Sequence, residues 1–324
     1  MAGVLPASRE PAVVSVKLPD PRLDRLAELV RPPKVVPVEM SFVDFPGQES
    51  GLPPSLVGAL RDSDAVVLVL RGFPDPFTQE AATPEAEFDF LLSELVLADL
   101  AVAEKRLERV RKERGDPHEE GLLARAVECL EEGRLLSSLP WSEADAARTS
   151  GYAFLTRKPL LAVWNVHERE LSNPFPRELE RRVRAAGVPL LRVSAAIEAE
   201  LEELDSEERE AFLSELGLSE PASRRFVREC HSALGRISFF TIGKREVRAW
   251  SIPRGTTALR AAGRVHSDME RGFIRAEVVA YEDFVHLGSE SRCREAGKMR
   301  LEGKEYVLRD GDIVRFRFHA PAGA

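Results

Sequence analysis

LLAVWNVHERE, residues 160–170, decides how the chain is read. An apolar run from Leu160 to Trp164 stops abruptly at Asn165-Val166-His167-Glu168. A short uninterrupted apolar run is the pattern of a strand buried on both faces, and in open α/β sheets such strands deliver polar groups to a ligand at their carboxyl ends. Residues 65–70 and 189–193 are two further runs of this kind, residues 13–16 and 35–43 are strand-like, and residues 21–30 place Leu23, Leu26, Ala27 and Val30 on one helical face. Near-continuous apolar strands separated by helices predict a mainly parallel sheet covered on both sides.

With 324 residues, 44% of them hydrophobic, the chain is long enough for two domains, each with its own core. Its longest apolar run, residues 65–70, falls far short of the roughly 20 residues a membrane-spanning helix needs. The N-terminus lacks a basic region followed by an apolar one, so a cytoplasmic protein with no membrane partner is expected. Cys129, Cys230 and Cys293 are widely separated, with no Cys-x-x-Cys and no histidine at ligand spacing, so neither a disulfide framework nor a metal site is expected.

Between residues 70 and 160 the periodicity changes. Leu91, Leu92, Leu95, Ala98, Val102, Leu107 and Val110 recur at helical spacing, and after Gly115-Asp116-Pro117 so do Leu123, Val127 and Leu130. This predicts an antiparallel helical hairpin over residues 81–145, inserted into a sheet domain of residues 1–80 and 146–200. Residues 201–235 read as an acidic helical linker. From residue 236, short strands at 247–252, 274–281, 305–308 and 313–318, with turn signals at Pro253-Arg254-Gly255 and Asp310-Gly311-Asp312, predict a compact mixed sheet with one helix over 236–324.

The net charge of −8 is unevenly placed: between Arg236 and His319, 17 Lys+Arg stand against 12 Asp+Glu, whereas the rest of the chain has 29 against 42. A basic module in an acidic protein is the electrostatic pattern of a nucleic-acid-facing surface, with Lys244, Arg245, Arg248, Arg254, Arg271 and Arg275 as candidate contacts. The hairpin tip adds Arg106, Arg109 and Lys112, although Glu108 and Lys112 are also spaced to pair along a helix. Nothing points to DNA specificity.

Asn-x-x-Glu at the end of a strand is how many GTPase-like domains read a purine base, which makes Asn165 and Glu168 candidates. Ser194-Ala195 follows the strand at 189–193, where a loop supports the base from the other side. Asp44-Phe45-Pro46-Gly47 follows the strand at 35–43; Asp44 can hold magnesium through water, and the Gly47 amide can approach a terminal phosphate because no side chain intervenes. This order lacks Gly-x-x-x-x-Gly-Lys-Ser/Thr, whose stacked amides and lysine cradle phosphates and whose hydroxyl binds magnesium. The 324 residues contain no such motif: the Gly-Lys pairs at Gly243, Gly297 and Gly303 lack both the earlier glycine and the following Ser or Thr.

LPDPRLDRLAELVRPPKVVP (18–37), SELVLADLAVAEKRLERV (93–110), NVHE (165–168), SAAIEAELEELDSEEREAFLSELGL (194–218) and above all the tail, FFTIGKREVRAWSIPRGTTALRAAGRVHSDMERGFIRAEVVAYEDF (239–284) through GKMRLEGKEYVLRDGDIVRFRFH (297–319), resemble the YchF/Obg-like ATPases, a translation-factor class of P-loop NTPases. The resemblance runs from about residue 11 to 320. It implies a GTPase-like sheet domain binding ATP, with Asn165 and Glu168 in the base-reading positions. It also implies a C-terminal ubiquitin-like β-grasp (TGS) domain and a ribosome, RNA or translation-factor partner.

The chain departs from the family pattern on the phosphate side. It has no counterpart of the opening strand, phosphate loop and helix, a unit of roughly 30 residues. The segment Gln48-Glu49-Ser50-Gly51-Leu52-Pro53-Pro54 and the loop PDPFTQEAATPE (74–85) are also altered. The expected protein is a YchF-like binding protein with a truncated sheet domain, no catalytic residues and no cofactor. The alternative is an ATP- or GTP-binding, magnesium-dependent NTPase whose start has been truncated. Without the opening strand, the strand ending at Asp44 and the strand at 65–70 are expected to pair directly, or to have their gap filled by another segment.

Overall fold

The computed structural model of the chain describes residues 12–45, 51–74 and 80–319. These residues form two compact units, 45–226 in one and 12–44 with 227–319 in the other. Along the chain the strands are β1 (Ala12–Lys17), β2 (Lys34–Val36), β3 (Glu39–Asp44), β4 (Val66–Gly72), β5 (Leu160–Val166), β6 (Leu190–Val193), β7 (Arg236–Ile242), β8 (Glu246–Pro253), β9 (Phe273–Val279), β10 (Arg300–Glu302) and β11 (Ile313–Phe318). The helices are α1 (Pro21–Val30), α2 (Pro54–Asp62), α3 (Pro84–Glu113), α4 (Pro117–Glu131), α5 (Glu143–Arg148), α6 (Arg177–Ala185), α7 (Ala195–Glu203), α8 (Ser206–Glu215), α9 (Ala222–Ala233), α10 (Ala258–Val265), α11 (Ser267–Arg271), α12 (Tyr281–Leu287) and α13 (Glu290–Glu295).

In the first unit β4, β5 and β6 form a parallel sheet in that order, with Val66 opposite Leu160 and Ala162 opposite Leu190. Val66, Leu68, Leu70, Leu160, Ala162 and Trp164 bury one face of the sheet in a core shared with Phe88 and Leu95 of α3 and Leu123 and Leu130 of α4. The expected hairpin is α3 and α4. Helix α3 ends where Arg114 turns left-handed (φ 50°) and the Gly115 amide returns to the Val110 carbonyl at 2.9 Å. Asp116 then caps α4 through the His118 amide at 2.9 Å, so both helix ends are satisfied within one short turn.

Strand β4 bonds only to β5 among the described residues. The Val66 amide donates to the Pro159 carbonyl, so Val66, Leu68 and Leu70 bond towards β5 and the backbone groups of Val67 and Val69 face the open edge. Glu87 of α3 closes the next position by accepting the Arg71 amide at 2.7 Å. The expected direct pairing of the strands flanking the gap does not occur. Every residue of β3 is instead opposite a residue of β1 in an antiparallel ribbon belonging to the second unit, from Ala12–Asp44 to Lys17–Glu39.

The second unit contains a six-stranded sheet in the order β10-β9-β11-β7-β8-β2. One face buries Phe239, Ile252, Val278 and Phe316 with Ala258, Ala261 and Ala262 of α10; the other buries Phe240 and Val247 with Leu23 and Leu26 of α1 and Phe284 of α12. Three expectations fail locally. The single strand at 35–43 is two, because Pro37 has no amide to donate to a ladder; β2 pairs with β8 and β3 with β1. Residues 305–308 form only an isolated bridge, Thr257 to Val307, since the Tyr306 amide is turned back to Gly303. Four short helices, α10 to α13, stand where one was expected, and β10 supplies an additional edge strand.

A buried polar group in this unit sets a pH dependence. His231 of α9 is 8% exposed and its Nε2 lies 2.8 Å from the Ser251 hydroxyl, which also accepts from Arg236 Nε at 2.6 Å. Burial, and then the Arg236 charge, lower the His231 pKa below its ordinary 6.5. The folded chain therefore keeps His231 neutral where the unfolded chain protonates it, so this stability is present above 6.5 and is lost as pH falls below it. The urea midpoint followed by Trp250 fluorescence is expected to be lower at about pH 5.5 than at about pH 7.5, and His231→Gln should narrow that difference.

Candidate functional site

Because β4, β5 and β6 are parallel, their carboxyl ends lie along one edge of the sheet, the place where ligands bind in open α/β folds. The register alternates, so Trp164 turns into the main core while Asn165 faces the other way and is half-buried. The Asn165 Oδ1 accepts the Ala195 amide at 3.0 Å, tying the end of β5 to the start of α7. The Asn165 Nδ2 donors have no partner among the described residues. Glu168 opens a short 3-10 turn capped by His167, whose Nδ1 accepts the Arg169 amide at 3.4 Å; the Glu168 carboxylate is exposed and without a partner among the described residues. Ser194 is 1% exposed, and its buried hydroxyl likewise has no partner.

Sequence reading missed the layer beneath these groups. The Trp164 Nε1 is buried without an acceptor, beside Gly72 at the end of β4. A Cβ on Gly72 would lie 2.6 Å from that nitrogen and 2.8 Å from the Asn165 carbonyl. Gly72 is therefore required by close approach, and Gly72→Ala is expected to cost about 1–3 kcal/mol in urea denaturation followed by tryptophan fluorescence. Arg192 of β6, opposite Trp164, lies over the Trp164 ring at 5.2 Å and the Phe175 ring at 4.4 Å and donates to the Leu171 carbonyl at 2.6 Å. Burial, then the nearby Arg225 charge, lower the Arg192 pKa. The signal that could have found this cluster is the Arg in an otherwise apolar strand two residues before Ser194.

Lys158, before β5, is spent elsewhere: its ammonium donates to the Leu60, Arg61 and Ser63 carbonyls and caps α2. Asp44 is the exposed last residue of β3 and belongs to the second unit, whereas Asn165, Glu168, Ser194 and Ala195 belong to the first. Gly47 and the segment 46–50 lie outside the described residues, as do 75–79 of the loop after Phe73.

Residues 236–319 match the family model YchF-GTPase_C, described as a protein of unknown function (DUF933). Ribosome-binding ATPase YchF of Pasteurella multocida is 38% identical over 325 residues, covering 96% of this chain and 90% of that protein. The Bacillus subtilis protein of the same name is 38% identical over 328 residues with the same coverage. The chain belongs to the YchF family. Its fold also matches the structure of the Schizosaccharomyces pombe YchF GTPase with a TM-score of 0.86 at 27% identity, over 98% of this chain and 89% of that one.

In this YchF-family chain the candidate cations separate into two classes. Arg106 bonds Glu119 at 2.9 Å and Tyr152 at 3.2 Å, so it joins α3 to α4 and the segment before β5. Arg109 pairs with Glu113 at 2.8 Å, Lys112 with Glu108 at 2.5 Å, Arg248 with Glu246 at 3.2 Å, and Arg271 with Asp268. Arg248 also lies over the Trp250 ring at 4.9 Å. Lys244, Arg245, Arg254 and Arg275 have no carboxylate partner among the described residues. Lys244 and Arg245 form the turn between β7 and β8, Arg254 lies at the other end of β8, and Arg275 is on β9, so the free cations do not form one patch.

Proposed function

We propose that the chain is a translation-associated YchF-family protein that binds the ribosome or its RNA and does not hydrolyse nucleoside triphosphates. Its curated relatives carry the name ribosome-binding ATPase. The observation that carries the non-hydrolysing part is that, at the base-reading edge, the Asn165 oxygen is already used as a brace on Ala195. In this reading residues 81–145 act as a helical insertion and residues 236–324 as a TGS module that presents the unpaired cations. Asn165, Glu168, Ser194 and Ala195 are remnants of the base side of a nucleotide site.

Co-sedimentation with purified ribosomes tests the partner. Phosphate contacts make binding salt-sensitive, so replacing Lys244, Arg245 and Arg275 together by alanine is expected to weaken it about tenfold or more and to flatten its salt dependence. Replacing the internally paired Arg109 and Lys112 is expected to do less. An unchanged bound fraction in the triple variant would count against these three cations as ribosome contacts.

One observation favours a second reading, that a purine still binds at the base edge. The Asn165 amide donors, the Glu168 carboxylate and the buried Ser194 hydroxyl are all without partners among the described residues. Titration with a nucleotide separates the two readings.

A further inference from the structure

In the second unit the turn after β8 and the segment before β11 border an open cavity of about 500 Å³, lined in part by Arg254, Arg309, Ile237, Val307 and Leu308. Both walls are fixed by backbone bonds. The Thr256 amide returns to the Pro253 carbonyl at 3.2 Å with Gly255 at φ 89°, which holds Arg254 at the second position of a type II turn. The Leu308 amide donates to the Thr256 carbonyl at 3.0 Å, and the Ala258 amide to the Tyr306 carbonyl at 2.7 Å, joining the two walls. The Arg309 amide is held by Asp312 at 2.9 Å.

The side chains on these fixed backbones are not neutralised. Arg254 and Arg309 are exposed and have no carboxylate partner among the described residues. The one carboxylate in the lining, Asp310, is already committed: it accepts Arg22 at 2.8 and 3.3 Å and the Ser238 amide at 2.9 Å. The cavity thus offers two free guanidinium groups beside an apolar wall, on which Val307 is 47% exposed.

We propose that this cavity binds a nucleoside monophosphate, free or as an unstacked nucleotide of an RNA strand. Guanidinium forks at Arg254 and Arg309 match the planar, bidentate demands of a phosphate. Ile237, Val307 and Leu308 supply the apolar surface against which the nucleoside packs, and a cavity of this size is in the range of small-ligand sites. The site lies in the second unit and is independent of the nucleotide remnant around Asn165.

The test is calorimetric titration of the full chain with adenosine 5′-monophosphate, inorganic phosphate and a short single-stranded oligoribonucleotide. The monophosphate or the oligonucleotide is expected to bind, with affinity falling about a hundredfold in R254A/R309A, since each lost charged contact is worth about tenfold. R254K/R309K should retain part of it, and N165A should leave it unchanged. Binding of the oligonucleotide alone would assign the ligand to an RNA strand, and binding of the free nucleotide alone to the cell's small-molecule pool; either result supports the site. The proposal is overturned if neither binds, if binding survives R254A/R309A, if N165A removes it, or if inorganic phosphate binds as tightly as the nucleotide. Thermal melts of the variants should be unchanged because both side chains are exposed. Loss of ribosome co-sedimentation on replacing Lys244, Arg245 and Arg275 reports on the ribosome reading separately.

Discussion

Asp99→Ala is expected to destabilise the first unit by about 3–5 kcal/mol, the largest effect of any single substitution considered for this chain. Asp99 is 0% exposed in the middle of α3, and its carboxylate accepts the Leu155 amide at 3.0 Å, the Thr156 amide at 2.7 Å and the Thr156 hydroxyl at 2.8 Å. Arg61 of α2 completes the cluster at 3.4 Å while donating to the Ala98 and Tyr152 carbonyls at 3.0 and 2.9 Å. One side chain therefore holds α2, α3 and the turn leading into β5. Burial raises the Asp99 pKa above its ordinary range, against the opposing Thr156 and Leu155 amides and Arg61. Alanine would leave three donors and a largely buried guanidinium without their acceptor. Asp99→Asn keeps one acceptor oxygen and should cost less. Urea denaturation followed by Trp141 and Trp164, both in the first unit, measures this, and an alanine variant within about 1 kcal/mol of the parent would show that the cluster contributes little.

The 324-residue chain is expected to bind a fluorescent ATP analogue at least about a thousandfold more weakly than a YchF-family relative that carries Gly-x-x-x-x-Gly-Lys-Ser/Thr. Charge-assisted hydrogen bonds contribute about 1.5–3 kcal/mol each, and at 1.4 kcal/mol per tenfold the loss of three accounts for that factor or more. The measurement belongs in the R254A/R309A background, so that the second-unit cavity does not contribute. Micromolar, magnesium-dependent binding there would show that the nucleotide site survives, and release of phosphate from ATP or GTP would sink the non-hydrolysing reading.

The base edge shows how far the sequence carries. The end of the apolar run at Trp164 falls two residues short of the carboxyl end of β5, which continues through half-buried Asn165 and buried Val166 before His167 and Glu168 become exposed. That Asn165 spends its oxygen on Ala195 was not legible, since the two residues are 30 apart in sequence and meet only through the β5–β6 register. Gly72, Trp164 and Arg192 were missed for the same reason. Each looks ordinary in its own strand, and only the pairing of three strands stacks them. The basic count was legible as a total, but not which charges are free: Arg271 and Arg248 are neighbours of Asp268 and Glu246, whereas Lys244, Arg254 and Arg275 have no carboxylate partner among the described residues.

What the sequence by itself determined is local and periodic: the strands β4, β5 and β6, of which only β5 is buried almost throughout while Val69 of β4 is exposed, the α3–α4 hairpin with its Gly-Asp-Pro turn, and a family resemblance carried by contiguous stretches. These follow from side-chain alternation, helical spacing and turn residues, which act over a few positions. Only the tertiary structure decided where residues 12–44 go. Their strands and helix look like the start of the sheet domain, yet β2 pairs with β8 and Leu23 and Leu26 of α1 fill the core beneath Phe240 and Val247. A strand's periodicity specifies which face it buries but not which edge it joins; that choice depends on long-range packing, here of an apolar helix face against a sheet more than 200 positions away in sequence.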